Sequence, residues 1–392
     1  MSESEESLVR GYTGRILFVV AMGTMLSYLS RLVLSPLLPT IIEEVDISPS
    51  AAGFALSVMW FLVAVGQYPG GRFSDKLSRT TVLVIGLGIL AIGLGLLAYV
   101  RTYVMFIAAT GLVGLGGGLY LPAGFAFLSD LFVARRGQAF GINAGSIDVS
   151  GVIAGLLAIG VLAVTTWRTA FFPMFAGVVL TLALLHAWSR EPYILRRVDH
   201  KIPETFRRIT TTSQMLRILF AFSLSAFVWQ SVTSFLPTFL LAQGFSDSVA
   251  TSAFMAIFVV GVVIRPVAGG AGDRVGHLLV AVSASVSATV GLVVTAVAPS
   301  VPLLILGVLP MAAGLAAIWP VMNAYIMDLF PDANMGGDFG ATRTVFMGIG
   351  SIGPFIVGVI ADTTTFSMAF LGLALCLLAS TVVLVLCALE PG

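Results

Sequence analysis

Residues 71–79 read GRFSDKLSR, and residues 269–276 read GGAGDRVG. Asp75-Lys76 and Asp273-Arg274 hold corresponding places in these stretches, which sets an offset of 198 residues. The same offset carries Leu38-Pro39-Thr40 onto Leu236-Pro237-Thr238, Pro122 onto Pro320, and Asp130-Leu131-Phe132 onto Asp328-Leu329-Phe330. Four coincidences at one spacing indicate a duplicated unit. The chain therefore reads as two related halves, 1–189 and 214–392, joined by a polar, strongly basic linker at 190–213.

Both halves are poor in charge. The 392 residues are 58% hydrophobic and 10% charged, far from the balance of a soluble domain. Uncharged runs such as Ile47–Gly71, Thr80–Val100, Thr102–Ser129, Thr169–Ser189, Ile218–Ser246 and Thr363–Leu389 recur along the whole chain. Each is long enough for a helix to cross the bilayer, which takes about 20 apolar residues. The expectation is an all-α membrane protein of twelve transmembrane helices in two pseudo-symmetric six-helix bundles. The helices fall near 14–42, 50–71, 80–100, 103–131, 138–164, 168–188, 214–241, 248–271, 277–297, 301–329, 339–361 and 365–388. A membrane β-barrel is excluded, because its strands would be short and alternating.

Positive charge falls on alternate connections. Arg10, Arg15, Arg72, Lys76, Arg79, Arg135, Arg136, Arg274 and the linker cluster Arg190, Arg196, Arg197, Lys201, Arg207, Arg208, Arg217 share one side. The opposite loops hold Arg101 and Arg168 beside Glu43, Glu44 and Asp46. The positive-inside rule then puts both termini in the cytoplasm and the protein in the cell membrane. The opening MSESEES is acidic and polar, unlike a signal or transit peptide. Nothing in this charge pattern suggests a nucleic-acid partner.

Cys376 and Cys387 lie on one apolar segment, too far apart along a helix for a disulfide. His186, His200 and His277 sit near membrane edges without metal-site spacing, and no cofactor is implied. The glycines of GLVGLGGGLYLP (111–122) lie inside an apolar helix and lack a following Lys-Ser/Thr. They read as a close-packing surface rather than a nucleotide loop.

The paired loops at 71–79 and 269–276 resemble the two copies of the signature loop of the major facilitator superfamily. The resemblance covers the whole chain. It implies two six-helix bundles rocking about a central site in a secondary transporter, not an enzyme. It also implies that Asp75, Lys76, Arg79, Asp273 and Arg274 act in a cytoplasmic gate. The two aspartates would sit just past a helix end, with the basic residues pairing to carboxylates across the bundle interface. Ser78 stands where the family usually has glycine, which would loosen the first loop. Arg343, at the start of the eleventh helix, is assigned to the same gate.

The repeat also acts as a filter. Residues that obey it belong to the scaffold, and deep charges that break it need another explanation. Arg31 maps onto Trp229, Asp148 onto Phe346 or Met347, and Arg265 onto Gln67. Arg31 lies about 24 Å from Arg15 and about 18 Å from Glu43 at helical rise, too deep to reach either interface easily. Thr24, Tyr28, Arg31 and Ser35 fall on one helical face. An ionisable residue at this depth costs several kcal/mol and usually faces a partner or a water-filled path. Arg31 is therefore read as the counter-charge for an anion.

Residues 28–31, Tyr-Leu-Ser-Arg, are similar to a helix 1 segment of anion:cation symporters, with Ser30 replacing that family's acid. Residues 265–269, Arg-Pro-Val-Ala-Gly, are similar to a helix 8 segment of monocarboxylate transporters. The second likeness implies a carboxylate-binding role for Arg265. Asp148 is read as the proton-coupling residue, paired with Arg265 or with Arg31. Tyr28, Tyr120, Trp229, Gln230 and Asn323 would line the substrate site, with Trp319 and Ser351 as further candidates.

The expected function is alternating-access transport of a small organic anion, a carboxylate, by proton-coupled symport in a monomer. Proton-coupled drug efflux and a non-transporting membrane sensor are the alternatives.

Overall fold

The computed structural model describes residues 7–195, 213–329 and 335–389. It contains twelve membrane-length helices: α1 (Gly11–Val45), α2 (Pro49–Lys76), α3 (Arg79–Ala98), α4 (Tyr103–Leu131), α5 (Arg136–Val164), α6 (Trp167–Trp188), α7 (Ser213–Ala242), α8 (Asp247–Val275), α9 (His277–Val297), α10 (Val301–Asp328), α11 (Gly340–Thr363) and α12 (Phe366–Leu389). In lipid a backbone must satisfy its own polar groups, so apolar runs of this length become helices. Their outward surfaces are apolar too. Phe18, Ile92, Leu156, Val290 and Leu375 are all more than half exposed, as lipid-facing side chains should be.

The helix starts carry their own stop signs. Ser78, Thr102 and Ser246 each accept a hydrogen bond from the backbone N–H three residues on, capping α3, α4 and α8. Prolines mark two interruptions. The α-helix of α1 pauses at Val33, three residues before Pro36, which has no N–H to donate to the Leu32 carbonyl. The α-helix of α11 breaks at Ser351–Ile352, just before Gly353-Pro354.

Contacts divide the chain into two units. One comprises Met1–Leu34 and Val58–His200; the other comprises Ser35–Ser57 and Lys201–Gly392. The break at 200/201 falls inside the expected linker 190–213, while residues 35–57, which the sequence placed in the first half, group with the second unit. Within that unit the Ser57 hydroxyl accepts from the Phe355 N–H at 2.9 Å, and the Ser50 N–H donates to Asp362 Oδ2 at 3.0 Å. Gly358 lets the backbone of Pro49 and Ser50 approach too closely for any side chain. Of the expected linker, 196–212 lies outside the described residues, together with most of its basic cluster.

In the first unit the glycines of α4 serve three neighbours. Gly114 and Gly118 meet the backbone of α2 at Met59 and Val63. Gly116 meets α3 at Gly86 and Leu90, and Gly117 meets α1 at Ser27 and Arg31. The second unit repeats the α3–α4 contact between α9 and α10. Gly93 against Val113 becomes Gly291 against Met311, and Gly116 against Gly86 becomes Gly314 against Ala284. Each residue moves by the same 198 positions seen in the sequence. The duplication therefore extends to individual backbone contacts.

Candidate functional site

Arg31 lies near the end of the first α-helical segment of α1 and is only 3% exposed. Its Nε donates to the Ser27 carbonyl at 3.0 Å. The guanidinium carbon sits 4.1 Å from the Tyr28 ring centroid and 5.5 Å from that of Trp60. One terminal nitrogen, Nη2, is buried without a hydrogen-bond partner among the described residues. No described carboxylate lies within 4.0 Å of the group. The buried hydroxyls of Thr24 and Ser27 on the same helix are also without partners among the described residues.

Gly117 makes room for this arrangement. A Cβ there would stand 2.5 Å from Ser27 Oγ and 3.6 Å from the Arg31 guanidinium. The two aromatic rings give back roughly 0.5–2 kcal/mol each as cation–π contacts, less than the several kcal/mol that burying an unneutralised cation costs. An anion accepting from the free nitrogen would supply the missing term.

The repeat gives Arg31 a counterpart in the second unit. Trp60 corresponds to Phe258 and Arg31 to Trp229. In the second unit Trp229 packs edge-on against Phe258 at 6.2 Å. In the first unit the guanidinium occupies the equivalent packing place, against Trp60. The first unit has a cation where the second has an indole. Trp60 was not among the sequence candidates, although it is the lone tryptophan of its apolar run.

Asp148, on α5, is 2% exposed. Two residues on, the Ser150 hydroxyl donates to the Met25 carbonyl of α1 at 2.9 Å. That register sets the Asp148 backbone level with Gly23, about 12 Å of helical rise from the Arg31 backbone. The described contacts of Arg31 are the Ser27 carbonyl and the Tyr28 and Trp60 rings, and the expected pairing with Asp148 is not among them. Asn143, earlier on α5, is fully buried, and neither end of its amide has a partner among the described residues. Sequence reasoning passed over it. The repeat filter would have caught it, since Asn143 maps onto Ala341.

Tyr120 lies in the first unit as well. It is fully buried, and its hydroxyl donates to the Val20 carbonyl at 3.2 Å, in a space that Gly23 leaves open. It ties α4 to α1.

In the second unit, Trp229 packs on Trp319 at 6.0 Å, and the Arg265 guanidinium lies 5.9 Å from the Trp229 ring. The neighbouring Gln230 donates through Nε2 to the Met347 carbonyl at 3.1 Å, leaving its buried Oε1 without a partner among the described residues. Arg343 donates to Asn323 Oδ1 at 3.5 Å and approaches Met347 Sδ at 3.9 Å. Trp229, Trp319 and Arg265 thus form one group, while Gln230 and Arg343 meet at Met347.

The signature loops differ from expectation in three respects. Asp75 and Asp273 lie inside the last turns of α2 and α8, which run on to Lys76 and Val275, rather than beyond them. Arg79 pairs with carboxylates of its own unit, donating to Asp75, to Asp130 at 2.9 Å and to the Ser74 hydroxyl at 2.9 Å. Ser78 tightens its loop instead of loosening it, because its side chain caps α3. Lys76 and the exposed Arg274 sit in the same last turns of α2 and α8.

A family model described as Major Facilitator Superfamily matches residues 20–354 and 266–391. The chain belongs to the Major Facilitator Superfamily. It is therefore a transporter and not an enzyme, and a multi-pass membrane protein. A bacterial homologue of the human lysosomal transporter Spinster, crystallised inward-facing and occupied, shares its fold with a TM-score of 0.76 at 17% identity. That similarity covers 97% of this chain and 96% of the other.

Among curated superfamily members, a probable sulfoacetate transporter of Cupriavidus necator is 28% identical over 44% of this chain and 40% of its own length. This match spans less than half of that relative. The gentisate transporter of Corynebacterium glutamicum is 24% identical over 90% of this chain and 82% of its own. Multidrug resistance protein 1 of Bacillus subtilis is 24% identical over 88% and 90%.

Proposed function

We propose that the protein carries a small organic anion, with a carboxylate as the group recognised, across the cell membrane by alternating access. The observation that carries this reading is Arg31: a buried guanidinium, flanked by Tyr28 and Trp60, with a free donor and no described carboxylate in reach. Arg265 supplies a second positive charge against Trp229 in the other unit. Asp148, two residues from the α1–α5 hydrogen bond, is the protonatable group that couples transport to the proton gradient. Relatives named for sulfoacetate and gentisate transport support the sign of the cargo.

The test is thermal-shift screening of the purified protein with aliphatic and aromatic carboxylates, sulfonates and inorganic anions. A ligand that stabilises the wild type by mass action should fail on Arg31→Gln. An anion that stabilises both equally would remove Arg31 from the site. The second reading, efflux of hydrophobic cations, draws on the aromatic group of Trp229, Phe258 and Trp319 and on the multidrug relative. Stabilisation by cationic dyes, with every anion indifferent, would select it.

A further inference from the structure

The offset that maps Asp75 onto Asp273 and Asp130 onto Asp328 also maps Arg79 onto His277, Ser74 onto Gly272 and Ser78 onto Gly276. In the first unit these residues make a permanently charged joint among α2, α3 and α4. Arg79 holds Asp75 and Asp130, Ser74 takes a further hydrogen bond, and Ser78 caps α3.

The second unit builds the same joint with a different cation. His277 Nε2 stands 3.4 Å from Asp328 Oδ2. The imidazole fills the place of the missing serine side chain, since a Cβ on Gly272 would stand 2.5 Å from Nδ1. That nitrogen is buried and without a hydrogen-bond partner among the described residues. The start of α9 has no side-chain cap, and Gly276 turns the chain at a φ of 99°, where a serine would be strained.

We propose that His277 and Asp328 form a proton-operated latch on the α8–α9–α10 joint. Arginine is charged at every physiological pH, whereas histidine changes charge between about pH 5 and 8. The latch is an ion pair when the imidazole holds a proton. When it does not, Asp328 loses its cation.

Among the described residues the charged surroundings are few. α10 contributes Asp328, and α8 contributes the exposed Asp273 and Arg274. The N-terminus of α9 itself opposes a cation through its dipole. α12, which also packs on α9, carries no Asp, Glu, Lys, Arg or His, only the thiols Cys376 and Cys387. Asp328 is thus the carboxylate placed to answer the imidazolium. The latch is independent of the cargo, so it stands or falls separately from the anion reading.

The test compares the full-length protein, in detergent or nanodiscs, with His277→Arg, His277→Gln, Asp328→Asn and Arg79→His. Melting temperature is followed from pH 5.5 to 8.5. The wild type should lose stability relative to His277→Arg as pH rises, because protonation favours the paired state. Asp328→Asn should abolish that difference, and Arg79→His should install a similar slope in the first unit. His186 and His200 remain in every variant and cancel in the comparison. If His277→Arg does not fold, ¹⁵N-histidine NMR replaces it. A resonance missing from His277→Gln should titrate in the wild type and move in Asp328→Asn. A wild-type slope that persists in His277→Gln, or a His277 resonance indifferent to Asp328→Asn, would overturn the proposal.

Discussion

At the scale of single residues, the informative contrast is between charges the fold has answered and one it has not. Arg79 has two carboxylates and a hydroxyl; Arg31 has one carbonyl and two aromatic faces. Arg31→Lys keeps the charge but loses both the flat stacking surface and the directed Nε bond to Ser27. We expect it to weaken anion binding by about tenfold or more, since charge-assisted hydrogen bonds are worth about 1.5–3 kcal/mol. Calorimetric titration with whichever anion stabilises the wild type measures this directly. Gly117→Ala tests the space beside the guanidinium. Its methyl meets the rotatable Ser27 hydroxyl, so stability should change little while anion affinity falls. Equal affinity in Gly117→Ala would place the anion on another side of Arg31.

At the scale of elements, caps and close backbone contacts decide more than surface charge. Asp75 and Asp130 are more than half exposed, so each pair with Arg79 is worth about 0.2–1 kcal/mol in the screened regime. The Ser78 cap is worth about 1 kcal/mol by itself. Ser78→Ala should therefore lower the melting temperature at least as much as Asp130→Asn does, and Ser78→Gly much less. Loop resemblance alone suggested the reverse, because it reported residue type without showing that Ser78 stands at a helix start. Helix number and type were legible, since apolar length is a direct physical requirement of the bilayer. The ends of α2 and α8 were not. Polar residues such as Asp75 and Asp273 continue a helix as readily as they end one.

At the scale of the whole molecule, the repeat is the most productive signal in the sequence. It separated Arg31 from the scaffold, and it also relates Arg31–Trp60 to Trp229–Phe258 and Asn143 to Ala341. What it did not carry was register between helices. The Ser150–Met25 hydrogen bond sets the Asp148 backbone about 12 Å of helical rise from that of Arg31. That separation has a functional consequence under the proposed mechanism. If Asp148 takes the proton and Arg31 takes the anion, one can be removed without destroying the other. Asp148→Asn, a fixed mimic of the protonated acid, should still bind the anion and exchange it across proteoliposome membranes. It should no longer accumulate the anion against its gradient when a pH difference is imposed. Arg31→Gln should lose exchange and accumulation together. Radiolabelled counterflow and pH-jump uptake on the same vesicles separate these outcomes. Accumulation that survives in Asp148→Asn would move proton coupling elsewhere, while loss of both activities would make Asp148 part of the binding site or the fold.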